Sequence, residues 1–132
     1  MTSLMGKAFP VVYVADVRRS VAFYTLLGYA PTYQFPLEGE PHYVGMDRGD
    51  ASLGLSDVNW PEAQLGITVG TAPRFELFVY VDDVEAEVGR FREAGYRVLQ
   101  EPATMPWGER QAYLADPDGN PVALAMPVSG PA

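Results

Sequence analysis

The residues able to do chemistry in this chain are few. There is one histidine, His42, and there is no cysteine. Thiolate nucleophiles, disulfides and cysteine-ligated zinc or iron–sulfur centres are therefore excluded. The serines and threonines lie in no nucleophile motif, and a single histidine serves few triads. Aromatic side chains are abundant instead: eight Tyr, six Phe and two Trp, 12% of the chain. Both tryptophans adjoin prolines, as Trp60-Pro61 and Pro106-Trp107. That context reads as loop, and a core role explains it poorly. Such rings present a rigid face at low entropic cost, suited to stacking on a flat conjugated molecule. The inventory points to binding more than to bond breaking.

Composition narrows the partners. At 132 residues the chain is read as one compact domain, long enough to bury a core without staples. Its net charge is -8, with nine Lys and Arg in no run. Nucleic acid is a poor partner, because phosphates need clustered cations. No stretch approaches the roughly 18 apolar residues of a membrane span. The opening MTSLMGKAFP carries one Lys and no long apolar run, so no signal peptide is expected. The expected location is the cytoplasm, with no membrane partner.

The elements that must position these residues come from an internal repeat. Phe9 to Tyr29 reads FPVVYVADVRRSVAFYTLLGY, and Glu76 to Tyr96 reads ELFVYVDDVEAEVGRFREAGY. Sliding Tyr13 onto Tyr80 also puts Asp16 on Asp83, Gly28 on Gly95 and Tyr29 on Tyr96. Two copies mean a duplicated domain, since a solenoid needs at least three. In each copy a short β-branched strand precedes an Asp that caps a helix, and Gly ends that helix. Val17, Val21, Tyr24 and Leu27 recur at helical spacing in the first copy, and Val84, Val88 and Phe91 in the second. Three further strands follow each helix. The division expected is a leader at 1–7, a βαβββ module at 8–56, a linker at 57–73, a second module at 74–127 and a tail at 128–132. The linker is long for a compact domain, and such loops are often functional.

Two such modules, carried by VADVRRSVAFYTLLGY, VYVDDVEAEVGRFREAGY and WGERQAYLADPDGNPVALAM, resemble the vicinal oxygen chelate superfamily. It contains glyoxalase I, extradiol dioxygenases, fosfomycin-resistance enzymes and bleomycin-resistance proteins. The resemblance covers roughly residues 8–127 and implies an α+β fold. Two tandem βαβββ modules would form a half-open mixed-sheet barrel with the helices outside. Alternation along the strands then turns Phe9, Val11 and Tyr13 toward the cavity from the first strand, and Glu76, Phe78 and Tyr80 from the fifth. Phe35 and Tyr113 are further cavity candidates, and Trp60 and Trp107 would border it. His42 shares its parity with Val44 and Met46, which allows it a cavity position.

Metal-dependent members of that superfamily place His, Gln or Glu near the start of strands one and five and in the middle of strands four and eight. The last hairpins align here through Asp47 on Asp116 and Leu55 on Leu124. The four matching positions then hold Phe9, Glu76, Gly54 and Ala123. Only Glu76 offers a donor atom, so no metal and no cofactor is expected. The resemblance implies instead a metal-free protein, like the bleomycin-resistance branch, that sequesters a planar or aromatic natural product as self-resistance. The ligand-binding set would be Phe9, Tyr13, Phe35, His42, Trp60, Glu76, Phe78, Tyr80, Trp107 and Tyr113, with no catalytic residue. A homodimer is expected, through the exposed first strand. The alternative is a lyase, isomerase or dioxygenase, either metal-dependent or using Glu76 as a base.

Overall fold

The computed structural model describes residues 7–128. Apart from Lys7 and Val128, the expected leader and tail lie outside the described residues. The chain divides into two compact units at the Gly70–Thr71 junction, and each unit is α+β. The first contains β1 (Val11–Val14), α1 (Val17–Leu26), β2 (Ala30–Phe35), β3 (Tyr43–Arg48), β4 (Ala51–Asp57) and a short α2 (Asn59–Leu65). The second contains β5 (Leu77–Tyr80), α3 (Val84–Glu93), β6 (Val98–Thr104), β7 (Glu109–Ala115) and β8 (Pro121–Pro127). The two tandem βαβββ modules are therefore present.

Both modules solve the same topological problem in the same way. Each forms an open four-stranded mixed sheet, in the orders β1-β4-β3-β2 and β5-β8-β7-β6. The first strand of each module pairs parallel with the last, and the other pairs are antiparallel. A parallel pair needs a long crossover, and the intervening helix supplies part of it. Asp16 and Asp83 start those helices, each carboxylate accepting a backbone N–H three residues on, from Arg19 at 3.2 Å and from Ala86 at 3.1 Å. Gly28 stops α1 with φ of 109°. A Cβ there would come 3.0 Å from Nε of Arg48. That Nε donates to the Leu27 carbonyl at 3.1 Å, so a cation satisfies the helix end that carries partial negative charge.

Alternation along the strands separates a core face from an open face. In module one Val12, Val14, Val44, Met46, Leu53 and Leu55 are buried, as are Phe23, Tyr24 and Leu27 of the helical segment. The Phe23 and Tyr24 rings meet edge-on at 5.0 Å. In module two the matching set is Val79, Ala112, Leu114, Val122 and Leu124 with Val84, Val88 and Phe91 of α3.

Three expectations need correction. The residues read as a linker contain α2. Trp60-Pro61 looked like a loop signal, yet Pro61 stands in the first turn, where its missing N–H has no intrahelical partner to lose. Gly66, at φ of 68°, ends the helix. Second, the hairpins do not align through Asp47 and Asp116. Gly54 pairs with Gly45, whereas Ala123 pairs with Tyr113, so Asp47 corresponds to Ala115. The difference lies in the turn. Asp116 accepts from the backbone N–H of Asp118 and Asn120 at 3.0 and 2.8 Å, stretching the second turn beyond the two residues of the first. Third, strand parity does not bring His42 to the open face, because Val44 and Met46 belong to the core.

Among the described residues one buried side-chain polar atom has no partner. Ser20 is fully buried in α1, and its hydroxyl makes no hydrogen bond. Replacing Ser20 with Ala removes an unsatisfied group at little cost in volume. Denaturant unfolding should show Ser20→Ala more stable by about 1 kcal/mol. A loss of stability would mean that the hydroxyl has an unseen partner.

Candidate ligand-binding site

Module one carries a cavity of about 690 Å³ on the open face of its sheet. Its size falls within the roughly 300–1,000 Å³ of small-molecule sites. Val11 and Tyr13 reach it from β1, Phe35 from the end of β2, Tyr43 from β3, and Ser56 and Asp57 from β4. Asn59, Trp60, Ala63 and Gln64 close one side from α2. Of the residues expected from sequence, Tyr13, Phe35, His42 and Trp60 are brought together here. Phe9 is not: with Lys7, Tyr33 and Tyr43 it lines a separate hollow of about 190 Å³, where the Lys7 ammonium sits 5.9 Å above its ring.

His42 reaches the cavity through the ladder at the end of the strands. Its N–H donates to the Phe35 carbonyl and its carbonyl accepts from the Asp57 N–H, both at 2.9 Å. These bonds hold three cavity residues in one row across β2, β3 and β4. His42 Nδ1 then lies 2.8 Å from Oδ2 of Asp57. The other oxygen of Asp57 accepts the backbone N–H groups of Asn59 at 3.1 Å and Trp60 at 3.3 Å. One carboxylate thus accepts the first two N–H groups of α2 and holds the imidazole. Asp57 was missed in the sequence, although an Asp just ahead of an Asn-Trp-Pro segment is a helix-start signal.

Gly54 explains how Tyr43 enters the site. A Cβ at position 54 would stand 2.4 Å from the Tyr43 hydroxyl oxygen and 2.8 Å from two ring carbons. The absence of a side chain at Gly54 leaves the room that this ring occupies. Burial, then the neighbouring Tyr33, pushes the Tyr43 hydroxyl above its ordinary pKa.

Module two holds the remaining expected residues on its own open face. Phe78 and Tyr80 project together from β5, their rings 5.4 Å apart. The Tyr80 hydroxyl donates to Glu109 at 2.6 Å, and Trp107 Nε1 and Gln111 Nε2 donate to the other oxygen at 3.0 Å. Glu109 organises this face and was not anticipated. Its carboxyl is held below the usual range, chiefly by the Tyr80 hydroxyl, and Tyr80 is pushed up in return. Tyr113 donates to Glu76 at 3.4 Å, and its pKa is raised by burial and then by the Glu76 charge. Glu76 itself is exposed, just ahead of β5. The segment leading to it is tied down by Asn120, whose side-chain oxygen accepts the Arg74 N–H at 2.8 Å.

Residues 8–124 match the family model of the Glyoxalase/Bleomycin resistance protein/Dioxygenase superfamily. The chain belongs to this superfamily. Among solved structures, TioX from Micromonospora sp. ML1 is 21% identical, covers 93% of this chain and 100% of its own, and superposes with a TM-score of 0.78. A glyoxalase-related enzyme from Fulvimarina pelagi is 23% identical over 92% of this chain and 88% of its own, with a TM-score of 0.75. A bleomycin-binding protein complexed with bleomycin is 22% identical over 92% and 98%, with a TM-score of 0.62. At these identities the likeness is one of fold. Comparison with curated proteins gives no match.

The superfamily's metal positions can be tested on the residues present. Phe9, Gly54 and Ala123 carry no donor, and the Tyr43 ring covers the face of Gly54. Among the described residues no three His, Cys, Asp or Glu side chains converge. The donor set does not fit a metal centre at these positions.

Two outcomes follow from this geometry. Gly54→Ala should push the Tyr43 ring out of the cavity and destabilise the protein by about 1–3 kcal/mol, as overpacking does. An unchanged melting curve and an unchanged Tyr43 environment by NMR would contradict the close approach. Glu109→Gln should bring the Tyr80 hydroxyl back toward its ordinary pKa. The raised folded-state pKa favours folding below the ordinary tyrosine value, and this contribution disappears as pH rises through the raised one. Alkaline absorbance titration reads the change, and an unaltered Tyr80 titration would disprove the coupling.

Proposed function

We propose that this protein binds and sequesters a planar or aromatic small molecule, an antibiotic or related natural product, without chemically altering it. The observation that carries this reading is the module-one cavity, walled by Tyr13, Phe35, Tyr43 and Trp60, with the hydrogen-bonded pair His42 and Asp57 at one corner. Rings on several sides suit a flat conjugated ligand, each good aromatic contact adding about 1 kcal/mol beyond area burial. A solved relative of the same fold is a bleomycin-binding protein complexed with bleomycin, and this supports a drug as the class of ligand. The donor-poor metal positions favour holding a ligand over transforming it. Self-resistance in the cytoplasm of a producing cell fits such a role. Among the described residues no helix is long and apolar enough to cross a membrane. A homodimer is part of the proposal, because β1 and β2 are edge strands of their sheet and β5 and β6 of theirs.

The test is a thermal-shift and fluorescence screen against planar aromatic antibiotics. A true ligand at a hundredfold excess over its Kd should stabilise the fold by about 2.7 kcal/mol. Trp60→Ala should weaken binding at least tenfold. Mass spectrometry of the incubated ligand should recover it unchanged. Turnover would overturn sequestration, and binding that is indifferent to Trp60→Ala would overturn the cavity as its site.

A further inference from the structure

The polar corner of the cavity has a direction. Asp57 presents Oδ2 to Nδ1 of His42 at 2.8 Å, while Oδ1 is engaged by the first N–H groups of α2. A carboxylate accepts and does not donate, so Nδ1 must carry the proton. In the neutral imidazole this leaves Nε2 as a bare lone pair. Among the described residues Nε2 has no hydrogen-bond partner. The Ser56 hydroxyl is already committed to the Asp57 carbonyl at 3.0 Å. Among the described residues no Lys or Arg lines the cavity, and the one acidic side chain there is Asp57 itself. An anionic ligand would meet that carboxylate with no cation to offset it. A ligand bearing only acceptors would face the Nε2 lone pair with nothing to donate.

We propose that the His42–Asp57 pair makes the module-one cavity selective for neutral planar aromatics that carry an O–H or N–H donor, accepted by Nε2 of His42. Phenols, enols and ring lactams belong to this class, and their ethers and N-alkyl derivatives do not. Asp57 is the positioning residue, because it fixes which nitrogen of His42 is the acceptor. The inference rests on the cavity being the ligand site, as proposed above.

The matched probes are 2-naphthol and 2-methoxynaphthalene, which differ in the donor, with binding read by calorimetry at a pH where the phenol is neutral. The wild-type protein should bind 2-naphthol about tenfold more tightly, the worth of one well-placed hydrogen bond. His42→Phe keeps a ring in the wall and should bring the two affinities together. Asp57→Asn is the sharper variant. Its carbonyl oxygen stays on the α2 N–H groups, and its amide then donates to Nδ1 and moves the histidine proton to Nε2. The naphthol advantage should shrink and the ether should gain affinity. Equal wild-type affinities, or an advantage that survives His42→Phe in a protein with unchanged circular dichroism, would overturn the donor assignment and leave the cavity standing. Binding of neither probe would count against the cavity itself and so against this selectivity.

Discussion

The carboxylate of Asp57 is the constraint on which the site depends. It stands where β4 ends and α2 begins, and it must serve both. One oxygen collects the free N–H groups that open the helix, and the other takes the imidazole of His42. Neither job is incidental to the cavity. Without those two bonds, a helix of seven residues has little to start it, since short helices are marginal on their own. Without the imidazole contact, the ring of His42 would be free to turn. The aromatic wall from Trp60 and the polar corner therefore share one anchoring group, and the backbone rungs from Phe35 through His42 to Asp57 hold that group in register.

The open faces of the two modules show how a duplicated scaffold diverges without losing its core. In each, the last strand carries a small residue: Gly54 in β4, where a Cβ would collide with the Tyr43 ring, and Ala123 in β8. A tyrosine of the neighbouring strand accompanies each, in different registers. Tyr43 leans across from a position paired with Ser56, whereas Tyr113 stands directly opposite Ala123. Burial raises both hydroxyls above their ordinary pKa. The helices, caps and core strands kept their pattern while the face left over was rewritten. Module one acquired a recess with a histidine. Module two acquired an aromatic surface gathered around Glu109.

Much of the fold was legible because it depends on local rules. The Asp caps, the terminating glycines and the alternation of Val11 to Val14 are written in short windows, and the repeat makes each one a check on the other. The site was less legible. Tyr13, Phe35 and Trp60 could be singled out by type and place. Asp57 could be suspected only as a helix start, because its other partner, His42, lies fifteen residues away in sequence. The α2 helix was hidden by Trp60-Pro61, since Pro in a first helical turn and Pro in a loop look alike without knowing where the helix starts. The slipped hairpin alignment had a similar cause. A longer turn around Asp116 absorbs a residue, and nothing in the strand itself announces it.

The connecting helix also bears on how such a protein can change. Every described residue lining the cavity lies between Val11 and Gln64, within the unit that ends at Gly70. The duplication gave the chain two copies of a scaffold, yet the recess is encoded by one copy and the segment that joins it to the next. Under the proposed function, selection for a different ligand would leave its marks in the first half of the gene and in the joint more than in the second half. Comparing substitution patterns between the halves of related genes would reveal that asymmetry as a sequence record of what each protein holds.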